Sequence, residues 1–112
     1  MEDGFYTVTY AGTAGMGVAT LLLESGRIRG FDLIGGRYEG TYARNPDGGL
    51  ELKGTLLVQP GYTLVTGLPA QERAFTVPLT ASLPAGAEDG RPVTALVAAV
   101  PVQTSFRFMR GV

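Results

Sequence analysis

The chain has 112 residues, enough for one core without staples, and is 45% hydrophobic, 17% charged and close to neutral, with a formal net charge of −1. It contains neither cysteine nor histidine, so a disulfide framework, a thiol nucleophile, a histidine base and a Cys/His metal centre are all excluded. The nine basic residues, eight of them arginine, are scattered, which argues against a direct nucleic-acid interface.

Turn signals punctuate the chain about every ten residues, and the runs between them read as short strands. The first runs are Phe5 to Tyr10 and Gly17 to Leu23. The intervening Gly12-Thr13-Ala14-Gly15-Met16-Gly17 lacks the Gly-Lys-Ser/Thr ending and the following helix of a phosphate loop, and reads as a tight turn. Ser25-Gly26 has the form of a two-residue hairpin loop leading into Ile28 to Asp32, which sets Glu24 against Arg27, Leu23 against Ile28 and Leu22 against Arg29. That register puts Leu21, Leu23, Ile28, Ile34, Gly30 and Asp32 on one face and Val18, Leu22, Phe31 and Leu33 on the other. Around Gly35-Gly36 the register stays open: a two-residue loop would set Leu33 against Tyr38, whereas a loop from Leu33 to Arg37, or a bulge, would not.

The fourth run is Tyr38 to Ala43. The fifth, Leu50 to Gln59, alternates cleanly between apolar and polar positions, as one buried and one solvated sheet face require. Gly61 to Glu72 reads as a long loop or a single helical turn. The last runs are Arg73 to Leu83, Val93 to Val100 and Thr104 to Arg110. No segment carries a capped helical period. Mid-strand Gly30, Gly40 and Gly54 suit tight bends in a closed barrel. The predicted fold is therefore all-β, a single domain over residues 1–112, built as a small closed eight-stranded antiparallel up-and-down barrel rather than a sandwich.

Two groups of residues stand out. Asp32, aimed inward by the hairpin register, together with Tyr38 and Tyr42 would form a polar cluster inside the barrel. The alternative is an aspartate at the rim that caps the Leu33 to Arg37 loop through backbone amides. Val18, Leu22, Phe31 and Leu33, with Leu96 in the doubly apolar seventh run, would form an outer patch covered by a second subunit or by the Gly61 to Glu72 loop. No paired carboxylates are arranged for acid–base work, so no catalytic, cofactor-binding or metal-ligating residue is assigned and an enzyme is not expected. The aromatic residues are spread through the strands as core rather than stacked as a platform.

The opening Asp3-Gly4-Phe5-Tyr6-Thr7-Val8, the second strand Gly15-Met16-Gly17-Val18, then Gly26-Arg27-Ile28-Arg29-Gly30-Phe31-Asp32 and Tyr38-Glu39-Gly40 form an order that resembles the GrlR-like family of type III secretion negative regulators and their relatives. The resemblance is clearest over about the first 45 residues. It implies a lipocalin-like barrel that homodimerises, lacks catalytic activity and acts by binding a regulatory protein. The acidic recognition loop that the resemblance implies reads Asn45-Pro46-Asp47-Gly48-Gly49 here, with a single acid, so a different partner or a ligand is equally expected.

The leading expectation is a non-catalytic regulatory or adaptor barrel acting by protein contact, as a homodimer and without cofactor, nucleic acid or membrane. The alternative is a carrier of a small apolar ligand, although at this length an interior filled by its own side chains is expected. The acidic start Met1-Glu2-Asp3 lacks the apolar region of a signal peptide, and the apolar runs are too short for a spanning helix, so a cytoplasmic protein is expected.

Overall fold

The computed structural model describes residues 1–112. Eight strands follow one another in chain order: β1 (Gly4–Gly12), β2 (Gly15–Glu24), β3 (Arg27–Asp32), β4 (Arg37–Arg44), β5 (Leu50–Val58), β6 (Phe75–Leu83), β7 (Asp89–Val97) and β8 (Val100–Arg110). Each pairs antiparallel with the next, and β8 returns to β1, so the sheet closes into an up-and-down barrel, with its shortest seam between Leu79–Ala81 of β6 and Ala95–Val97 of β7. There is no helix.

The Ser25-Gly26 turn forms with both residues at positive φ, 53° and 80°, and sets Glu24 against Arg27, Leu23 against Ile28 and Leu22 against Arg29. After β3 the loop is longer than Gly35-Gly36. It runs from Leu33 to Gly36 and closes with the Asp32 amide donating to the Gly36 carbonyl at 3.0 Å, which brings Tyr38 opposite Gly30 on the inner face. Ile34, expected on the inner face, is instead exposed in this loop.

Several strand boundaries differ from the sequence reading, most by one or two residues, and β7 begins at Asp89 rather than Val93. The seventh strand ends at Val97, not Val100, because Ala98 and Ala99 form a two-residue turn with φ of 50° and 65°. Alanine rarely adopts this left-handed conformation; here the Ala98 amide is held by the Pro78 carbonyl at 2.8 Å. Consequently β8 begins at Val100 rather than Thr104. Residues 59–74 contain no helical turn and form one long loop, so β6 starts at Phe75 rather than Arg73.

Two strands also touch where side chains are missing. Gly40 and Gly54 are directly paired across β4 and β5, and a methyl group on either would run into the facing backbone. This close approach of the two strands requires glycine on both sides.

Up-and-down connectivity sorts the loops by end. The β2–β3, β4–β5 and β6–β7 turns lie at one end, where Tyr6, Leu23, Leu50, Leu83 and Ala87 are sealed from solvent and Phe108 packs edge-on against Tyr6 at 5.4 Å. The β1–β2, β3–β4, β5–β6 and β7–β8 connections lie at the other. There the β5–β6 loop folds back, its Leu64 buried against Leu56, Val58 and Val77. Its tip is tied to the β1–β2 turn by the Ala14 amide donating to the Val65 carbonyl at 2.8 Å. The loop thus covers part of the barrel mouth, not the outer face of the sheet.

Candidate functional site

Between the sealed end and this partial cover lies a cavity of about 380 Å³. All eight strands contribute to its wall, from Val8 and Leu21 on one side to Leu56, Val97 and Val102 on the other, and 21 of its 30 lining residues are hydrophobic. The expectation of a self-filled interior is therefore corrected. Leucines face inward, but so do Ala19, Gly54, Ala81 and Ala95, and these small residues line the open middle of the barrel, whereas the space over Gly17 and Gly30 is taken by Tyr10 and Leu21. Solvent reaches the cavity beside the β1–β2 turn and the β3–β4 loop, where Met16 and Leu33 are more than four-fifths exposed.

Asp32 stands at this mouth with only 7% of its surface exposed. Its Oδ1 accepts the backbone amides of Gly36 at 2.7 Å and Ile34 at 3.1 Å, so it caps its own loop. The carboxylate packs against the bare α-carbon of Gly36, where any side chain would collide with it. Its Oδ2 accepts the hydroxyls of Tyr38 at 3.0 Å and Tyr10 at 3.3 Å. The two readings of Asp32 are thus combined in one residue, one oxygen turned to the loop and the other to the interior. Burial, reinforced by the neighbouring carboxylate and the other phenol, pushes the Tyr38 hydroxyl far above its ordinary range, and burial raises Tyr10 as well. Both phenols therefore stay protonated.

Tyr42 does not belong to this cluster. It shares a face with Tyr38 but sits four residues further along β4, which at roughly 3.3 Å per residue is about 13 Å away, at the sealed end. There its hydroxyl donates to Asp3, which also accepts Arg44 Nη2 at 2.8 Å and the Ser25 amide at 3.1 Å. The hydrogen bond from Tyr42 foremost, then that from Ser25, holds the Asp3 carboxyl below its usual range, while burial and the bond to Asp3 raise Tyr42. Arg44 further donates to the Met1 carbonyl, and Tyr6 to the Glu2 carbonyl, so residues 1–3 are strapped across this end.

The sequence reading missed Tyr10. The signal lay in the β1–β2 pairing, which sets Tyr10 opposite Gly17 and, two positions along, Ala19 between Val8 and Asp32. Tyr10 therefore reaches Asp32 diagonally across the glycine.

The outer apolar residues divide. Val18, Phe31 and Leu33 lie on the outside of β2, β3 and the adjoining loop, exposed by 37%, 62% and 85%, with Leu22 half-buried beside them. Leu96 is also exposed but stands on β7, separated from β2 by β1 and β8. One patch reaching all five residues does not exist on this barrel.

No group of His, Cys, Asp and Glu side chains is assembled to hold a metal ion. No helix is long and apolar enough to cross a membrane. No protein-family model matches the chain, and no curated protein matches it significantly.

Proposed function

We propose that this protein is a non-catalytic binding barrel that takes up one small, mostly apolar ligand through the mouth beside Asp32. The observation that carries this reading is the open apolar interior, about 380 Å³ and lined from all eight strands, with a few polar groups gathered at one end. A void of this size lies at the small end of ligand sites, which run to roughly 300–1,000 Å³, and an apolar wall with a few fixed polar groups is their usual make-up. Asp32 and the tyrosines support binding rather than acid–base catalysis, since both phenol protons are donated to the Asp32 carboxylate, which also caps its own loop. The lipocalin-like carrier is thus favoured over the adaptor for the interior of the barrel.

Titration with the neutral fluorescent probe N-phenyl-1-naphthylamine tests the reading. Saturable, stoichiometric fluorescence enhancement is expected, along with a small-molecule mass retained in native mass spectrometry of gently isolated protein. An interior that takes up no probe would overturn it.

A second use of the molecule is supported by the outer face. Phe31 and Leu33 expose apolar surface beside Val18 and Leu22, as a protein contact would require, whether with a second copy or a regulatory partner in the manner of the GrlR-like resemblance. Sedimentation of the wild type and of Phe31→Glu and Leu22→Glu tests self-association. A dimer that both substitutions convert to monomer supports it, and a wild-type monomer removes the homodimer.

A further inference from the structure

The cavity's polar groups have a direction. Four inward-facing polar side chains line it: Tyr10, Asp32, Tyr38 and Thr104. Tyr10 and Tyr38 each commit the hydroxyl proton to Asp32 Oδ2, at 3.3 and 3.0 Å. Thr104 is buried and commits its proton to the Val93 carbonyl at 2.7 Å. Among the amides of the mouth loops, those of Ile34 and Gly36 are held by Asp32 Oδ1 and that of Ala14 by the Val65 carbonyl. What these inward-facing side chains leave to a guest is lone pairs on two phenolic oxygens and one hydroxyl oxygen, while the Asp32 carboxylate, its acceptor sites filled by four donors, offers its negative charge. Thr63 on the covering loop, and Glu39, Lys53 and Thr80 on the outward-facing positions of their strands, also border the cavity but are exposed to solvent.

The charge points the same way. Asp32 has no cation to balance it, since the ion pairs of the protein are Glu24–Arg29, Asp3–Arg44 and Asp89–Arg91, none of them at the mouth. Four neutral donors hold the carboxylate instead.

Resting on the carrier reading, we infer that the barrel selects ligands whose apolar body ends in a hydrogen-bond-donating head group, an ammonium or a hydroxyl, and discriminates against carboxylates. A donor head at the mouth meets oxygens that lack only a proton to share. An anionic head meets the Asp32 charge and lone pairs with every inward-facing side-chain donor already committed, and entering would strip water that those side chains do not replace. Electrostatic complementarity ranks the ammonium above the hydroxyl.

Displacement of N-phenyl-1-naphthylamine by decylamine, decanol and decanoate tests the inference, because the three share a tail and differ only in the head. Decylamine and decanol are expected to bind at least tenfold more tightly than decanoate. In Asp32→Asn the preference of amine over acid should shrink by at least tenfold, and Tyr38→Phe, which leaves the Asp32 loop cap in place, should weaken decanol while sparing the probe. Thermal melts identify any variant that fails to fold, and the ranking in the wild type stands without either one. Equal binding of all three, or tightest binding of decanoate, would overturn the inference and leave the carrier reading intact. A barrel that takes up neither the probe nor any of the three would remove both.

Discussion

Tyr38 donates its hydroxyl to Asp32 Oδ2 at 3.0 Å across the loop that joins β3 to β4. That one bond ties the first residue of β4's inner face to the last residue of β3, and the other oxygen of the same carboxylate fixes the loop between them. Asp32→Ala removes four acceptor interactions at once. Hydrogen bonds to a charged group contribute about 1.5–3 kcal/mol each, but the loop amides regain water, so a net loss of about 2–4 kcal/mol is expected. Tyr38→Phe should cost about 1 kcal/mol and Tyr10→Phe, whose bond is longer, less than that. Urea unfolding of the three variants checks the order; an Asp32→Ala protein as stable as wild type would show that the cap is dispensable.

The open interior predicts an unusual tolerance. Ala95 faces the cavity from β7, between Val93 and Val97. Adding a large side chain to a packed core commonly costs about 1–3 kcal/mol, but Ala95→Phe places its ring in empty volume and should change stability by less than about 1 kcal/mol or raise it. The same ring should lower affinity for N-phenyl-1-naphthylamine at least tenfold. Probe titration together with a thermal melt separates this from simple damage.

The Ala98-Ala99 turn is a site of stored strain. Left-handed alanine costs about 1–2 kcal/mol, whereas glycine there gives back about 0.5–1 kcal/mol through its freer unfolded chain. Ala99 is exposed at φ 65°, so Ala99→Gly should gain about 0.5–1 kcal/mol. Destabilisation by this change would mean that the methyl group packs in solution.

The two tyrosine clusters predict a pH window bounded on both sides. Burial foremost pushes Tyr6 up to about 12, and Tyr10, Tyr38 and Tyr42 are also raised. The unfolded chain loses these protons near pH 10 while the folded one keeps them, so stability is full below about pH 10 and falls as the pH rises through the folded values. Asp3 is lowered, so its contribution is present above the ordinary carboxylate range and is lost as pH falls below about 4. Denaturation midpoints across this range should form a plateau with both shoulders. Asp3→Asn should soften the acid shoulder and, by removing the carboxylate that helps raise Tyr42, part of the alkaline one, whereas Tyr10→Phe with Tyr38→Phe should soften the alkaline shoulder alone.

Much of the fold was legible because its signals are local. Ser25-Gly26 dictates a tight turn, the turn dictates the register, and the alternation of Leu50 to Val58 dictates which face is buried. Ala98-Ala99 carries no such signal, since its conformation is imposed by the Pro78 carbonyl from the neighbouring strand. The site was half legible for a related reason. Side-chain parity gives the face a residue occupies but not its depth, so Tyr38 and Tyr42 looked equivalent although they serve opposite ends. Tyr10 joins Asp32 only through a contact that skips across β2. The cavity was visible only as an accumulation of small inward residues, each of which also suits a bent strand.

Because every second connection returns to the mouth, the determinants of selectivity and of cohesion alternate along the chain. Residues 13–14, 33–36, 59–74 and 98–99 shape what the barrel admits, while residues 25–26, 45–49 and 84–88 belong to the sealed floor. Diversifying the first set could re-aim the molecule toward new guests with the floor untouched. Both chain ends leave from that floor, with Phe5 paired to Arg110, so a fusion partner at either end would hang at the opposite pole from the doorway.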